Sequence, residues 1–346
     1  MNLSELDYRL PRRLIAQEPL ADRAGSRMLV VNGPHGELQD SVFRALGSFL
    51  TEGDLLVINT TRVSARRLFG VRETGGRVEV LTMNRLPDGD FEALVRPAKK
   101  LREGEVVKLE DGLTAEIIAD LGEGRKRVRL EPVDGLDAAL ARAGEAPLPP
   151  YITERLKDEE RYQTVYAQMP GSAAAPTAGL HFTEDVLEGL KVQGIGVAEV
   201  HLTVSLDTFR PVMVEDLNEH PMHGEDCYVP EKTAAAVAAC KGRVVAVGTT
   251  SARTLEAASL GPKNLEPGHR RTNILIQPGH TWQTVDALLT NFHMPRTTML
   301  AMVAALTGRA PMMRAYEMAV DRRYRFLSFG DCMLAFPQKS GRFVKI

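Results

Sequence analysis

Leu55-Leu56-Val57-Ile58-Asn59-Thr60-Thr61-Arg62 decides the architecture. Four consecutive apolar residues read as a strand buried on both faces, as in the parallel sheets of α/β proteins. The strand stops at polar residues, and open α/β sheets place ligands beyond such strand ends. Upstream, Arg23 and Arg27 lead a second buried strand, Met28-Leu29-Val30-Val31. Between the two, Val42, Phe43, Leu46, Phe49 and Leu50 have helical spacing and predict a helix over 40–50. Downstream the texture changes. Short β-rich runs at 77–81, 91–95, 106–109 and 126–130 are separated by Gly75-Gly76, Pro87-Asp88-Gly89 and Asp111-Gly112. Short strands with turn signals at this spacing predict a small barrel, closed by a helix over 136–143. Pro147, Pro149 and Pro150 lead back to the first texture.

From 184 onward helices and strands alternate again. The reading gives helices over 184–193, 231–241, 299–306 and 312–323, and a further helix beginning at Thr254. It gives strands over 196–204, 243–247 and 274–276, with a Pro/Gly loop over 261–271. The fold class is therefore α/β (α+β), an alternating domain interrupted by a smaller β-barrel-like domain. The expected parts are 1–62 and 150–346 for the first and 63–149 for the second. The 346 residues suffice for two domains, and a net charge of −2 does not announce nucleic acid. Three scattered cysteines, no signal core and no apolar run of membrane length point to a cytoplasmic protein.

Four clusters carry candidate chemistry. Residues 171–183 form a small-residue loop in which Pro176 and Gly179 bracket Thr177 and deliver His181. Thr183 then caps a helix with Glu184 and Asp185 in its first turn. Gly248-Thr249-Thr250-Ser251 between strand and helix makes an anion cradle, beside Arg253 for bidentate grip of a carboxylate. His220-Pro221-Met222-His223-Gly224-Glu225-Asp226-Cys227 groups polar side chains. Pro221 and Gly224 break the helical face that a zinc hydrolase would need, so the group suits acid/base work better. Asn291 and His293, with Phe292 and Met294, mix hydrogen bonding and apolar surface suited to a heteroaromatic ring. Arg62, Arg96, Lys99 and Lys100 are basic residues beside these segments, and Tyr324 and Phe326 interleave a third basic run.

Taken together these segments resemble the S-adenosylmethionine:tRNA ribosyltransferase-isomerase family of queuosine biosynthesis. The likeness runs through Asp7–Val31, Arg62–Gly70, Ala93–Lys100, Tyr151-Ile152, Arg161–Ala167, Ala174–Thr183, His220–Pro230, Val247–Glu256, Asp286–Leu300 and Tyr324–Met333. The resemblance implies transfer of the ribosyl part of S-adenosylmethionine to 7-aminomethyl-7-deazaguanine at the wobble position of tRNA. It rearranges to an epoxycyclopentanediol, and adenine and methionine leave. The resemblance also implies that the larger domain is the catalytic one, S-adenosylmethionine as co-substrate, no permanently bound cofactor or metal, and a monomer. On this reading His181, His223 and Glu225 transfer protons. Thr177, Gly179, Gly248, Thr249, Thr250, Ser251, Arg253, Asn291 and His293 bind substrate, and Arg62, Arg96, Lys99 and Lys100 meet tRNA phosphates. The chain departs from the family pattern at Thr60, where an aspartate is expected, and near Asn273, where another is. It departs again at Thr203, Ser205 and Asp207, which replace a histidine and two glycines. Two other readings stay open at this level. One is a divergent paralogue that binds S-adenosylmethionine or RNA without this turnover. The other is a metal-dependent hydrolase on His220, His223 and Glu225.

Overall fold

The computed structural model describes residues 1–32, 36–122, 124–132, 135–204 and 212–337. The chain divides into two compact units: Met1–Thr61, Pro150–Gln168 and Pro176–Ile346 in one, Arg62–Pro149 and Met169–Ala175 in the other.

The first unit is built on a nine-stranded mixed sheet. Its order is Gly268–Thr272, Glu225–Val229, Gly196–Leu202, Leu55–Asn59, Val244–Val247, Ala287–Asn291, Cys332–Ala335, Arg27–Asn32, Glu37–Val42. The four strands from Gly196–Leu202 to Ala287–Asn291 are mutually parallel. The unbroken apolar run at 55–58 follows from burial on both faces. Leu55 and Val57 enter one core with Val244 and Ala246, while Leu56 and Ile58 enter the opposite core with Val245 and Val247. Each such side chain removed from water contributes roughly 1.5–3 kcal/mol. Helices Gly248–Ala258, Thr298–Thr307 and Arg309–Asp321 cover the first core. Phe43, Leu46, Phe182 and Leu190 fill the second.

This topology places the ends of the parallel strands along one edge. Leu202, Asn59, Val247 and Asn291 end there, and Glu225 opens the neighbouring antiparallel strand at the same edge, beyond the pairing of Cys227 with Leu202. Polar strand ends at 59–61 and 290–293 thus converge, as the sequence reading of strand ends requires.

The second unit contains a closed six-stranded antiparallel barrel in the order Arg125–Glu131, Phe91–Arg96, Arg77–Arg85, Arg67–Val71, Val106–Leu109, Thr114–Gly122. Alternate residues such as Val78, Val80, Ala93, Val95, Val107, Ile117 and Val128 fill it. Helix Leu136–Ala143 lays Leu136, Ala139 and Leu140 on the same core. In Arg67–Val71, Gly70 passes so close to the next strand that a Cβ would lie 2.3 Å from the Lys108 carbonyl oxygen.

Three local expectations are corrected. Residues 40–50 form the end of strand Glu37–Val42 and a 3-10 helix, Phe43–Phe49, not an α-helix. Phe43 and Leu46 are three apart, and that spacing serves a 3-10 turn as well as an α turn. Ile274-Leu275-Ile276 is not a strand; the strand lies earlier, at Gly268–Thr272, where the backbone pairs with Glu225–Val229. The apolar run instead walls a cleft. The helix read from Thr254 begins at Gly248, whose φ of +86° lets the strand turn directly into it.

Candidate active site

A cleft of about 780 Å³, open mouth included, is lined by His223, Glu225, Thr249, Thr250 and Arg253 on its polar side. Ile274, Leu275, Ile276, Met299 and Met302 form its apolar wall. Thr249 and Thr250 belong to the first turn of helix Gly248–Ala258, where backbone N–H groups have no helical acceptor. Ser251 is placed differently from Thr249 and Thr250. Its Oγ donates to the Val247 carbonyl at 2.8 Å, a bond inside its own helix, and it is fully buried. Of the three residues, only Thr249 and Thr250 line the cleft.

Arg253 is only 9% exposed. Its Nη1 donates to Glu225. Its Nε and Nη2 are buried with no hydrogen-bond partner among the described residues. Buried donors of this kind call for an acceptor, and a guanidinium edge with two open N–H groups matches a carboxylate. Asn59 steadies this part of the edge. Its Nδ2 donates to the Leu202 carbonyl at 3.0 Å and reaches Thr250 Oγ1 at 3.4 Å. His220 also lines the cleft; burial first, and then the neighbouring His223, disfavours its charged form. Among the described residues no group of three or more His, Cys, Asp and Glu side chains is placed to hold a metal ion. Glu225 is engaged by the Arg253 guanidinium.

His181 lies in a different polar group. Thr177 Oγ1 donates to Asn291 Oδ1 at 3.0 Å, and Asn291 Nδ2 sits 3.2 Å from His181 Nε2. His181 Nδ1 meets Ser26 Oγ at 3.0 Å, and Ser26 Oγ donates to the Arg23 carbonyl at 3.3 Å. With the Asn291 amide so placed, Nε2 accepts and Nδ1–H donates, giving one directed chain from Thr177 to Arg23. Ser26 had no sequence signal, because it is 155 residues from its histidine. Gly179 is buried by close approach: a Cβ there would lie 2.1 Å from the Tyr166 hydroxyl. Its neighbour Ala178 faces Gly248, so the 3-10 helix Thr177–His181 abuts the helix N-terminus.

His293 is buried apart from both groups. Its ring pairs with Thr290 Oγ1 at 2.9 Å, its N–H donates to the Tyr316 hydroxyl, and its carbonyl accepts from the Tyr8 hydroxyl. Burial holds both His181 and His293 at about 4, with the Arg23 and Arg325 charges adding to the effect at His181. Both rings are therefore neutral at pH 7. The sign of the pH effect follows. Between the ordinary value near 6.5 and about 4 the unfolded chain binds protons that the folded chain does not. Stability is then complete above 6.5 and falls as pH drops toward 4, by about 2 kcal/mol per histidine at pH 5. Urea unfolding midpoints at pH 7 and pH 5 measure this, and His293→Gln is expected to show a smaller difference between the two.

A family model described as "Queuosine biosynthesis protein" matches residues 3–335. The chain belongs to that family. A Symbiobacterium thermophilum protein named S-adenosylmethionine:tRNA ribosyltransferase-isomerase is 48% identical over 339 residues, covering 96% of this chain and 99% of its own. One of the same name from Rubrobacter xylanophilus is 50% identical over 335 residues, covering 96% and 97%. A crystal structure of S-adenosylmethionine tRNA ribosyltransferase from Thermotoga maritima is 34% identical, covers 96% of this chain and 100% of its own, and superposes with a TM-score of 0.54.

The residues at which this family member departs from the expected pattern are placed as follows. Thr60 is fully buried, and its Oγ1 is 2.7 Å from His201 Nδ1. The Thr203 N–H donates to the Asp226 carbonyl at 3.0 Å. Asn273 is exposed, and Ser205 and Asp207 lie outside the described residues. Arg96, Lys99 and Lys100 are exposed on the second unit, and Arg62 is half-buried there. No helix among the described residues is long and apolar enough to cross a membrane.

Proposed function

We propose that the chain is an S-adenosylmethionine:tRNA ribosyltransferase-isomerase. It moves the ribosyl part of S-adenosylmethionine to 7-aminomethyl-7-deazaguanine at the wobble position of tRNA and rearranges it to the epoxycyclopentanediol of epoxyqueuosine. The observation that carries this reading is the identity near one half, over almost the full length of both chains, with enzymes of that name. The cleft supports it. An amino acid carries an ammonium beside a carboxylate, and Glu225 beside the open edge of Arg253 matches both charges. Met299, Met302 and the 274–276 run take the apolar part of the ligand.

The reaction needs proton movements. A sulfonium makes the C5′ protons acidic, so a base removes one of them. Adenine leaves C1′ on gaining a proton at its ring nitrogen, and methionine leaves C5′ with the C–S electron pair. His223 in the cleft is the group we assign to the base, with Glu225 orienting the substrate ammonium. His181, neutral and fixed by Asn291 and Ser26, carries the second proton. Arg62, Arg96, Lys99 and Lys100 meet tRNA phosphates. On this reading the protein acts in the cytoplasm as a monomer with S-adenosylmethionine as co-substrate and no resident cofactor.

The test uses S-adenosylmethionine labelled in its ribosyl carbons. Label is expected in acid-precipitable tRNA carrying the deazaguanine base and not in tRNA carrying guanine. A folded protein that labels neither contradicts the proposal.

A further inference from the structure

Arg23 and Arg161 line a second, shallow cleft in the first unit, the Arg325 charge acts on its His181, and among the described residues no carboxylate forms an ion pair with the three. Arg23 and Arg161 line this cleft with Ser26, His181, Ser328 and Gly330. Arg23 donates to the carbonyls of Leu180 and Glu160, each at 3.1 Å. Arg161 donates to the carbonyls of Leu20 and Ala21. Arg325 donates to the Glu18 carbonyl. Carbonyls fix the guanidinium planes without cancelling their charge. Arg161 Nε and Arg325 Nη1 are buried with no hydrogen-bond partner among the described residues. Asp158 and Glu160 near Arg23, and Asp331 and Glu18 near Arg325, favour the charged guanidinium groups. Asp331 is occupied by the N–H groups of Arg27 and Arg325, each at 2.8 Å.

The charges are felt locally. Burial, and then Arg161, disfavours the charged form of Arg23, and Arg23 and Arg325 both disfavour a charged His181. The loop that presents Ser328 is held in an uncommon conformation, with Leu327 at φ +70°. Such a conformation persists where the surroundings impose it, often at functional sites. Two guanidinium groups offer donors in several directions, the requirement of a tetrahedral phosphate more than of a planar carboxylate. A carboxylate is already matched by Arg253 in the larger cleft.

We propose that this cleft is a phosphate subsite that takes one phosphodiester of the RNA substrate, beside His181. The inference rests on the proposed function in one respect, that RNA is the substrate.

The test is Arg161→Gln, with Arg325→Gln as a second variant should the first not fold. Melting temperature and S-adenosylmethionine binding screen both for folding. Each variant is expected to raise KM for tRNA about tenfold, with kcat and KM for S-adenosylmethionine within about twofold of wild type. The slope of log affinity for tRNA against log salt, from filter binding, is expected to become shallower by about 1. Arg161→Lys, which keeps the charge, is expected to keep that slope. Unchanged tRNA KM and salt slope in a folded variant overturn the proposal. A rise in KM for S-adenosylmethionine alone also overturns it and assigns the cleft to the methionine carboxylate. If wild-type protein transfers no ribosyl group, the functional reading fails, while the filter-binding slopes still decide this one.

Discussion

Arg253→Met is expected to lower kcat/KM for S-adenosylmethionine by about a hundredfold to a thousandfold. The substitution removes the two open donors facing the cleft and leaves Glu225 buried without its cation. Truncating one member of a buried charge pair costs roughly 2–5 kcal/mol, and each 1.4 kcal/mol is a factor of ten. Steady-state kinetics and direct titration of S-adenosylmethionine measure the effect. Arg253→Lys keeps the charge and loses the fork, so it is expected to recover only part of the loss. A variant that stays folded and binds S-adenosylmethionine as wild type does would remove Arg253 from the site.

His181→Ala is expected to lower turnover by about a hundredfold or more while leaving S-adenosylmethionine affinity within a few-fold. The reason is geometric. His181 is 3% exposed, neutral, and aligned on both nitrogens by Asn291 and Ser26. Such a ring contributes through a fixed proton position and not through ligand-binding surface. His181→Gln restores one hydrogen-bonding end without a titrating ring and is expected not to recover turnover. Single-turnover rates at saturating substrates separate this from weakened binding. Near-wild-type turnover in His181→Ala would take the residue out of the scheme.

The parts of the fold legible in the sequence are those where one periodicity had one explanation. Leu55–Ile58 read as a strand because both its faces are buried. The barrel strands read clearly because alternate residues point inward and turn residues separate them. Phe43 and Leu46 misled because a spacing of three fits two kinds of helix. Ile274–Ile276 misled because an apolar run walls a cleft as readily as it forms a strand. Gly248–Ser251 was legible as a junction of strand and helix but not as the helix start, since only the backbone reveals the left-handed Gly248.

The site was legible as residue types and not as a constellation. His181 and His223 both read as acid/base candidates, yet the fold gives them to separate polar groups. Ser26 and the Arg23, Arg161 and Arg325 group escaped because their members lie far apart in the chain and meet only through the sheet and its loops. Arg253 was found for its charge. Its pairing with Glu225, 28 residues away, is visible only in the folded chain.

The most direct test of the account is the product balance of one reaction. Purified protein is incubated with S-adenosylmethionine and tRNA carrying 7-aminomethyl-7-deazaguanine, and free adenine, free methionine and epoxyqueuosine are quantified together. The account predicts equal amounts of all three at every time point. Adenine or methionine released without the modified nucleoside, or no release from folded protein, would contradict it.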